Sequence, residues 1–399
     1  MFDFPTPGQA FADFEILELI GEGAFARVYK ALAPNTEQPV ALKLTATSTS
    51  DSDMVKRALR EIAVLRSLTN EHTVRLHGSS IGEDHFWIAM EYLQGQQLDD
   101  FHPFGEPMNV AKAVDILVQA SMGLAEAHAK GVVHRDIKPS NLWVTREGMV
   151  KVLDFGFARA WGVPWAYGTN ATTARSVVGT PHYCQPEQLF TDQLTPASDV
   201  YSLATVLYEL LSGYAVLFEH QTVPDVIEAL YDDPMGWLDA HAIRDTVPIN
   251  GYPGCGGLPD RLVALLNKAL AKEPAKRPQQ AGTLASALGE ILVDDLGATP
   301  AATVLIDGPM GRTESRLLPG RRRIGAGEFC DIIVAGGEVS DVHATLDWSG
   351  SPRVAHLIPA GPGSRIRLDD EAITAAAFVH PGSIIGIGSS TLEVAYPRT

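Results

Sequence analysis

The sequence predicts an α+β fold up to about residue 293, followed by an all-β sandwich. From Phe14 apolar residues alternate, as in β-strands, and from Ser52 they recur at helical spacing. After residue 293 the helical periodicity stops, and short β-like runs separated by glycine-rich turns follow. At 399 residues the chain is long enough for two domains, and its 45% apolar content is typical of a globular protein.

The charge and cysteine content restrict the classes of function. A net charge of −17 argues against non-specific nucleic-acid binding and is compatible with basic peptide substrates, although acidity can also simply keep a protein soluble. The three cysteines, Cys184, Cys255 and Cys330, are too few and too far apart for a disulfide framework or a zinc site. This cysteine usage indicates a reducing compartment. Cys184 is expected to be a packed cysteine rather than a reactive thiol.

The first residues carry neither a basic region nor an apolar run, so no signal peptide is predicted. Uninterrupted apolar stretches of about 18 residues, which a membrane span needs, are missing from the sequence. We therefore expect a cytoplasmic protein with no membrane span.

The first predicted strands bracket a glycine pair, Gly21 and Gly23. Such a pair lets the backbone approach phosphate oxygens closely, but on its own it is equally typical of a tight hairpin without a ligand. The next predicted strand, 40–43, ends in Lys43. The predicted helix 52–69 carries Glu61, the expected ion-pair partner of that lysine.

Further along, three predicted elements lead to a cluster of polar residues. Residues 86–93 form an apolar strand that runs into a polar connection, 110–130 form a helix, and 149–153 form a strand that ends at Asp154. The helix and the last strand would deliver loop residues to one cleft from two rigid supports.

The segment between that helix and that strand carries the strongest functional signal. It reads His134-Arg135-Asp136-Ile137-Lys138-Pro139-Ser140-Asn141, and Asp154-Phe155-Gly156 follows. An aspartate can accept the proton of an attacking hydroxyl, and a lysine two positions on can neutralise a transferring phosphate. An asparagine and a second aspartate can hold magnesium ions.

This combination resembles the catalytic and metal-binding loops of protein kinases, and the lysine at that spacing points to the serine/threonine branch. The resemblance extends over residues 14–293 and implies a bilobal kinase fold with a β-rich N-lobe and a helical C-lobe. It implies ATP and Mg2+, with Mn2+ as an alternative metal. One departure is Ala26, which replaces the third glycine of the family's phosphate loop and is expected to stiffen it.

The resemblance also implies a set of site residues. The expected catalytic group is Lys43, Glu61, Asp136, Lys138 and Thr180. The expected nucleotide-binding group is Ile20, Gly21, Gly23, Val28, Ala41, Lys43, Met90, Glu91, Leu93, Asn141, Leu142 and Asp154. Asn141 and Asp154 are the expected metal ligands.

The segment 154–187 is polar and rich in threonine, and its end resembles the substrate-docking segment of the family. There Thr180 is expected to hydrogen-bond Asp136 and Lys138. We hypothesise that Thr172, Thr173 or Ser176 becomes autophosphorylated, with Arg135 as the phosphate's partner. Two scaffold features are also expected, namely a brace of the catalytic loop by Asp199 and an ion pair between Arg277 and Glu187.

Residues 294–302 read as a short linker of polar and small residues. Within 303–399, strands are predicted at 303–306, 332–334, 344–347, 365–368 and 391–396. Gly325, Ser340 and His343 give this part a resemblance to the forkhead-associated (FHA) domain, which reads phosphothreonine. Ala326 and Pro362 stand where that family places an arginine and an asparagine, and Arg321, Arg322 and Arg365 are expected to be exposed rather than to substitute. A protein-docking domain with impaired phosphopeptide reading is therefore expected.

The leading hypothesis is a bacterial serine/threonine protein kinase with protein substrates and a possible protein partner for the FHA-like domain. A small-molecule phosphotransferase is a second possibility, but Lys138 and the segment 179–187 argue against it. A catalytically weak, nucleotide-binding pseudokinase that acts as a scaffold is a third, and it would need a missing catalytic residue.

Overall fold

The fold was analysed in a computed structural model. It describes residues 2–23, 26–33, 38–46, 52–82, 84–155, 181–189, 191, 193–230, 233–298, 302–317, 320–327, 330–348 and 355–395. Two compact units are found: one contains residues 1–108, 123–254 and 266–281, and the other contains 109–122, 255–265 and 282–399.

The first unit contains a six-stranded antiparallel sheet. Its strands are β1 (Ala10–Phe11), β2 (Phe14–Glu22), β3 (Ala26–Leu32), β4 (Pro39–Ala46), β5 (Leu76–Ile81) and β6 (His85–Glu91), in the order β1-β2-β3-β4-β6-β5. The helix α1 (Ser52–Arg66) contacts β5, and it confirms the predicted helix with an end three residues earlier. Fully buried side chains such as Ile16, Leu42 and Leu44 form the core of this sheet, which explains the alternating pattern in the sequence.

A second, three-stranded antiparallel sheet follows along the chain. It consists of β7 (Gly95–Gln97), β8 (Leu142–Thr145) and β9 (Val150–Val152). A short 3-10 turn, Pro139–Asn141, directly precedes β8. The predicted strand before Asp154 is therefore confirmed.

The other helices are α2 (Leu98–Phe101), α3 (Val110–Ala129), α4 (Pro196–Ser212), α5 (Val223–Ala229), α6 (Pro234–Ile243), α7 (Asp260–Ala269) and α8 (Ala281–Asp294). Almost every side chain of α4 is buried, which explains why apolar residues predominate in its sequence. The chain leaves α4 through Gly213, whose φ of 76° is the left-handed conformation that glycine adopts readily. Among the helices in these described ranges, none combines the length and the apolarity that crossing a membrane requires.

The second unit contains two further sheets. One has the order β11-β10-β20-β19-β16-β17, with β10 at Ala302–Gly308, β11 at Gly311–Leu317, β16 at Ile366–Leu368, β17 at Glu371–Ile373, β19 at Ile384–Ile387 and β20 at Ser390–Ala395. The other has the order β13-β12-β14-β15-β18, with β12 at Gly320–Gly325, β13 at Ile332–Ile333, β14 at Ala344–Trp348, β15 at Ala355–Pro359 and β18 at Ala377–Val379.

Both of these sheets contribute side chains to one apolar core. Val304, Ile385 and Leu392 come from the first sheet, and Leu346 and Trp348 come from the second. The predicted all-β sandwich is thus confirmed. All five predicted strands are present, although Tyr396, at the end of the last, lies outside the described residues.

Candidate active site

The side chain of Asp199 holds the predicted catalytic loop, residues 134–141. Its carboxylate accepts hydrogen bonds from the backbone N–H of His134 at 2.7 Å and of Arg135 at 2.8 Å, and it lies 2.8 Å from Nε2 of His128. Burial by itself would raise the pKa of Asp199, but His128 and His134 hold that pKa below its usual range. The predicted brace is confirmed, because a charged, buried carboxylate fixes the loop backbone.

The ring of His134 joins this loop to the strand end that carries Asp154. Its Nδ1 accepts the backbone N–H of Asp136 at 3.3 Å, so Nε2 carries the proton that is donated to the carbonyl oxygen of Leu153 at 2.6 Å. The ring also packs on Phe155, with centroids 4.7 Å apart. Burial lowers the pKa of His134, although nearby carboxylates such as Asp199 raise it.

Asp136 lies at the centre of the loop. Its Oδ2 accepts hydrogen bonds from Asn141 Nδ2 at 3.1 Å and lies 3.0 Å from Lys138 Nζ. Asn141 Nδ2 also donates to the backbone oxygen of Asp136 at 2.7 Å. The Asp136 side chain is 43% exposed, so an incoming hydroxyl group can reach it. The local turn Pro139–Asn141 therefore brings three predicted site residues together.

Asp154 and Lys43 form the second group of charges. Lys43 Nζ lies 2.8 Å from Asp154 Oδ2, and Leu153 N donates to Asn141 O at 2.9 Å, which ties Asp154 to the catalytic loop. Burial would raise the pKa of Asp154, but Lys43 more than compensates, so the pKa lies below its usual value. Asp154 has a φ of 48°, an uncommon conformation for a non-glycine residue that is often found at functional sites.

The predicted ion pair between Lys43 and Glu61 is wrong for this structure. Among the described residues, the ion pair of Lys43 is with Asp154, and none joins it to Glu61. Burial raises the pKa of Glu61 and the nearby Arg135 lowers it, so the charge that acts on Glu61 is that of Arg135. The sequence contains two candidate carboxylates, Glu61 and Asp154, for the ammonium group of Lys43. Only the position of α1 relative to β4 decides which of them forms the ion pair.

A cleft of about 580 Å3 lies between the six-stranded and the three-stranded sheets of the first unit. Eight predicted nucleotide-binding residues line it: Ile20, Gly21, Val28, Ala41, Met90, Glu91, Leu93 and Asp154. Gly21 pairs with Val28 across the β2–β3 hairpin, and Gly23 N donates to Ala26 O at 2.8 Å where the hairpin turns. Ala24 and Phe25, between them, lie outside the described residues.

Four predicted residues, Gly23, Lys43, Asn141 and Leu142, do not line this cleft. Lys43 contacts the cleft residue Asp154 through its ion pair, and Asn141 contacts the cleft residue Leu153 through a backbone hydrogen bond. Leu142 is fully buried. Its neighbour Trp143 lines the cleft instead, because successive side chains of a strand point to opposite faces. Leu142 therefore does not line the cleft, and its predicted nucleotide contact stays a prediction.

Ten further residues that line the cleft were not predicted from the sequence, although strand alternation could have revealed the apolar ones. These residues are Lys30, Val74, Tyr92, Gln94, Gly95, Gln97, Ser140, Trp143, Arg146 and Leu153.

The side chain of Glu91 anchors the connection between β6 and β7. Its Oε1 lies 2.7 Å from Lys151 Nζ and accepts the backbone N–H of Arg75 at 2.8 Å. The Glu91 carboxylate is thereby held by the strand that leads to Asp154.

These observations agree with the comparison with known proteins. The sequence matches the protein kinase domain over residues 14–288. The chain belongs to the protein kinase family. Members of this family use ATP and a divalent metal ion.

Several relatives are bacterial serine/threonine-protein kinases. The chain is 33% identical to PknD of Mycobacterium tuberculosis over 289 residues, 72% of this chain and 41% of that protein. It is 31% identical to PknB of Mycolicibacterium smegmatis over 326 residues, 80% of this chain and 49% of that protein. It is 35% identical to PrkC of Bacillus subtilis over 201 residues, 50% of this chain and 30% of that protein. The chain thus spans less than half the length of each of these relatives.

The described part of the predicted substrate-docking segment, which ends at Glu187, is anchored to α4. Tyr183 donates to Glu209 Oε2 at 2.8 Å, and His182 also contacts that carboxylate. The predicted ion pair is confirmed, since both terminal nitrogens of Arg277 lie 2.8 Å from the Glu187 carboxylate. Cys184 is buried, as expected of a packed cysteine.

Several predicted residues of the kinase lie outside the described residues. These are Gly156, Thr169, Thr172, Thr173, Ser176 and Thr180. Their predicted roles stay predictions. The described Arg135 has a buried Nε without a hydrogen-bond partner among the described residues.

Asn141 and Asp154 suit a magnesium ion that is shared with phosphates. Asn141 uses its Nδ2 as a donor to Asp136, so its side-chain oxygen is left as an acceptor. Within the described ranges no three His, Cys, Asp or Glu side chains converge as a metal cage. Magnesium needs no such cage, because it binds through one or two carboxylates together with phosphate oxygens and waters.

In the sandwich, His343 ties together the loops that the FHA resemblance singled out. Ser340 N donates to His343 Nδ1 at 3.1 Å, and His343 Nε2 donates to Arg365 O at 3.2 Å. Ala326 N donates to Ser340 O at 3.0 Å. A Cβ at Gly325 would lie 2.3 Å from Asp341 O, so only glycine fits there.

The expectation that Arg321, Arg322 and Arg365 are all exposed is wrong for Arg322. Its side chain is only 6% exposed and lies 3.2 Å from Glu290 and 3.6 Å from Asp331. The three consecutive arginines of β12 alternate across the strand, which the sequence alone did not reveal.

Proposed function

We propose that residues 14–293 transfer the γ-phosphoryl group of ATP to serine or threonine hydroxyls of proteins. One observation carries this proposal: Asp136 Oδ2 lies 3.0 Å from Lys138 Nζ and 3.1 Å from Asn141 Nδ2, while Lys43 and Asp154 pair at 2.8 Å on the adjoining strand end. In-line phosphoryl transfer needs little more than a positioned hydroxyl, cations around the phosphates and metal ligands.

The side chains divide these tasks. The Asp136 carboxylate orients the substrate hydroxyl and takes its proton as the oxygen forms a bond to the γ-phosphorus. The bond from that phosphorus to the bridging oxygen breaks, and ADP leaves. Lys138 neutralises charge on the transferring group and Lys43 holds the other phosphates. Asn141 and Asp154 would hold magnesium, or manganese, which neutralises phosphate charge when bound.

The test is phosphate transfer from labelled ATP to a generic basic protein, with Asp136→Asn as the negative control. We expect the control to lose activity by about 10^2-fold to 10^4-fold, the usual contribution of a positioned base. Asp13→Asn, an exposed residue ahead of β2, is the matched control and should keep wild-type activity. Wild-type protein that binds ATP but transfers no more label than Asp136→Asn would refute the proposal in favour of a pseudokinase. The relatives' names and the complete catalytic set do not favour that alternative.

We also propose that residues 303–399 are an FHA-like protein-docking domain with impaired phosphothreonine reading. The loop arrangement around His343 supports the likeness, and Ala326 supports the impairment, because it removes a charge-assisted pair that contributes about 1.5–3 kcal/mol. In the full chain, Ala326→Arg should strengthen binding of phosphothreonine peptides by about 10-fold to 150-fold. Tight, phosphate-dependent binding by the wild-type chain would contradict the proposed impairment.

Autophosphorylation between Asp154 and Glu187 is a third proposal. The buried Nε of Arg135, which has no hydrogen-bond partner in the part of the chain that the structure describes, supports it, because a phosphate could satisfy that donor. Mass spectrometry should find phosphate on Thr172, Thr173 or Ser176 in wild-type protein and none in Asp136→Asn. Unphosphorylated but fully active wild-type protein would eliminate this idea.

A further inference from the structure

Residues 2–11, here called the aromatic segment, cover the face of the six-stranded sheet that lies opposite to the nucleotide cleft. Three side chains of the segment are partly buried against the apolar core of that sheet: Phe2, Phe4 and Phe11. On β3, Val28 lines the cleft, whereas the next residue, Tyr29, belongs to this core. Because successive side chains of a strand point to opposite faces, the core and the aromatic segment lie on the far side of the sheet from the cleft.

The aromatic segment is held in place by backbone pairing and by ring contacts. Its strand β1 is antiparallel to β2, and Gly8 N donates to Ile16 O at 2.8 Å. The ring of Phe2 stacks on His85, at the start of β6, with 4.5 Å between the ring centroids. The segment is therefore an integral part of this folded unit.

Arg27 connects the aromatic segment with the β2–β3 hairpin, whose glycines are predicted to approach the phosphates of ATP. The guanidinium carbon of Arg27 lies 4.8 Å from the centroid of the Phe4 ring. The Nε of Arg27 donates to Glu22 Oε1 at 2.9 Å, and one terminal nitrogen lies 2.7 Å from the same oxygen. Glu22 and Arg27 are paired across the hairpin next to its turn, where Gly23 N donates to Ala26 O. The guanidinium thus lies between a carboxylate of the hairpin and a ring of the aromatic segment.

The two contacts of Arg27 have different consequences for the hairpin. The ion pair with Glu22 joins two residues of the hairpin to each other, whereas the contact with Phe4 attaches the hairpin to a segment outside it. Gly21 and Gly23 give the hairpin backbone many accessible conformations, and a ligand bound by that backbone must restrict them. A contact that restricts the backbone before the ligand arrives lowers this cost of binding.

We propose that Phe4 and Arg27 are positioning residues that hold the β2–β3 hairpin in the conformation that binds the triphosphate of ATP. This inference rests on the proposed kinase function and extends it to the aromatic segment, which precedes residues 14–293. Because the contact acts on the hairpin backbone, it strengthens the binding of phosphates and leaves the binding of a nucleoside unchanged.

The experiment measures dissociation constants of ATP and of adenosine for the full chain and for Phe4→Leu and Arg27→Met. We expect each variant to bind ATP about 2-fold to 5-fold more weakly, which corresponds to the loss of one exposed cation–π contact. Adenosine, which has no phosphates, should bind all three proteins equally. Phe4→Tyr, which keeps an aromatic ring face, should bind ATP as the wild-type chain does.

The double variant Phe4→Leu/Arg27→Met tests whether the two residues act through one contact. It should bind ATP no more weakly than Arg27→Met alone, because the contact can be lost only once. The kinetic readout is the KM for ATP, which should rise by the same factor in each variant. The kcat and the KM for a protein substrate should not change.

The matched control is Phe11→Leu, the same substitution in the same segment. The ring of Phe11 contacts Phe2 and His85 rather than the hairpin. This variant should melt at a lower temperature than wild type and still bind ATP with wild-type affinity. If Phe4→Leu fails to fold, Arg27→Met provides the same comparison, because the Arg27 side chain is 34% exposed.

The outcomes separate this inference from the proposed function. Equal losses for ATP and adenosine, an equal loss of ATP affinity in Phe11→Leu, or additive losses in the double variant would overturn the positioning role while the kinase proposal stands. Unchanged ATP affinity in folded Arg27→Met would do the same. If the wild-type chain binds ATP and transfers no phosphate, the kinase proposal fails, and the dissociation constants still decide the role of Phe4 and Arg27. A wild-type chain that binds no ATP would refute both.

Discussion

Arg277 and Glu187, 90 positions apart in the sequence, form two hydrogen bonds of 2.8 Å between guanidinium and carboxylate. The Arg277 side chain is fully buried and lies over the ring of Tyr201 at 4.8 Å. It also donates to the backbone oxygens of Ala271 and Lys272. This one side chain therefore fixes Glu187, the last residue of the segment 154–187, to the helical part of the kinase domain.

Replacing Arg277 by methionine should lower the free energy of unfolding by about 3–5 kcal/mol, because it leaves the Glu187 carboxylate without its ion pair and removes hydrogen bonds to three backbone oxygens, those of Ala197, Ala271 and Lys272. Urea unfolding of the full chain measures this change. The matched control is Lys276→Met, since the neighbouring lysine is 65% exposed and its ion pair with Glu273 lies in solvent. A change of less than about 1 kcal/mol is expected there. Equal effects of the two substitutions would contradict the structural role of Arg277.

His72 should make the stability depend on pH. Burial, assisted by Lys151, lowers its pKa to about 4 from 6.5, although a hydrogen bond to the Val150 carbonyl opposes the shift. Between these two values the unfolded chain binds a proton that the folded protein does not, so stability falls as pH falls from 6.5 to 4. The contribution is at most about 1.4 kcal/mol per pH unit.

The measurement compares urea unfolding from pH 4 to pH 7 in wild-type protein and His72→Gln. The variant should show a shallower dependence on pH in this window. Thr73→Val provides the control, because it removes the 2.6 Å hydrogen bond of Thr73 to Gly123 O without removing a titrating group. If His72→Gln and Thr73→Val lose the same part of the pH dependence of stability, the attribution of that dependence to His72 is wrong.

Two glycines with positive φ should respond very differently to alanine. At Gly95, φ is 146° and a Cβ would lie 2.1 Å from the Val144 carbonyl oxygen. At Gly148, φ is 84° and no atom lies within 4 Å of such a Cβ. We expect Gly148→Ala to destabilise the protein by about 1–2 kcal/mol through backbone strain alone, and Gly95→Ala by more, because the β7–β8 pairing must also shift. Melting temperatures show which of the two variants is less stable. A smaller loss of stability for Gly95→Ala than for Gly148→Ala would contradict the close approach of Gly95 to the Val144 carbonyl oxygen.

The arginines of β12 provide a test of the sandwich. Arg322→Met removes a 6% exposed side chain that pairs with Glu290 and Asp331, so a loss of about 1–3 kcal/mol is expected. Arg323→Met removes a side chain that is 53% exposed and only 3.8 Å from Asp331. Its effect should stay within about 0.5 kcal/mol. Differential scanning calorimetry of the full chain measures the stability of both variants. A larger loss for Arg323→Met than for Arg322→Met would refute the burial of Arg322.

Local chemistry was predictable from the sequence. Asp136, Lys138 and Asn141 lie within one turn and its flanks, so their order in the chain already brings them together. The helix that carries Glu61 and the strand that presents Asp154 were recognisable for the same reason, because periodicity is a property of neighbouring residues.

The tertiary structure alone decided the rest. It pairs Lys43 with Asp154 rather than with Glu61, turns Trp143 rather than Leu142 into the cleft, and buries Arg322 between Glu290 and Asp331. A shift of one residue reverses the face of a strand, and an ion pair forms with the carboxylate that packing brings closest. The orientation of a strand's faces and the choice of an ion-pair partner both depend on how distant segments pack against one another. The pattern of neighbouring residues in the sequence does not contain that information.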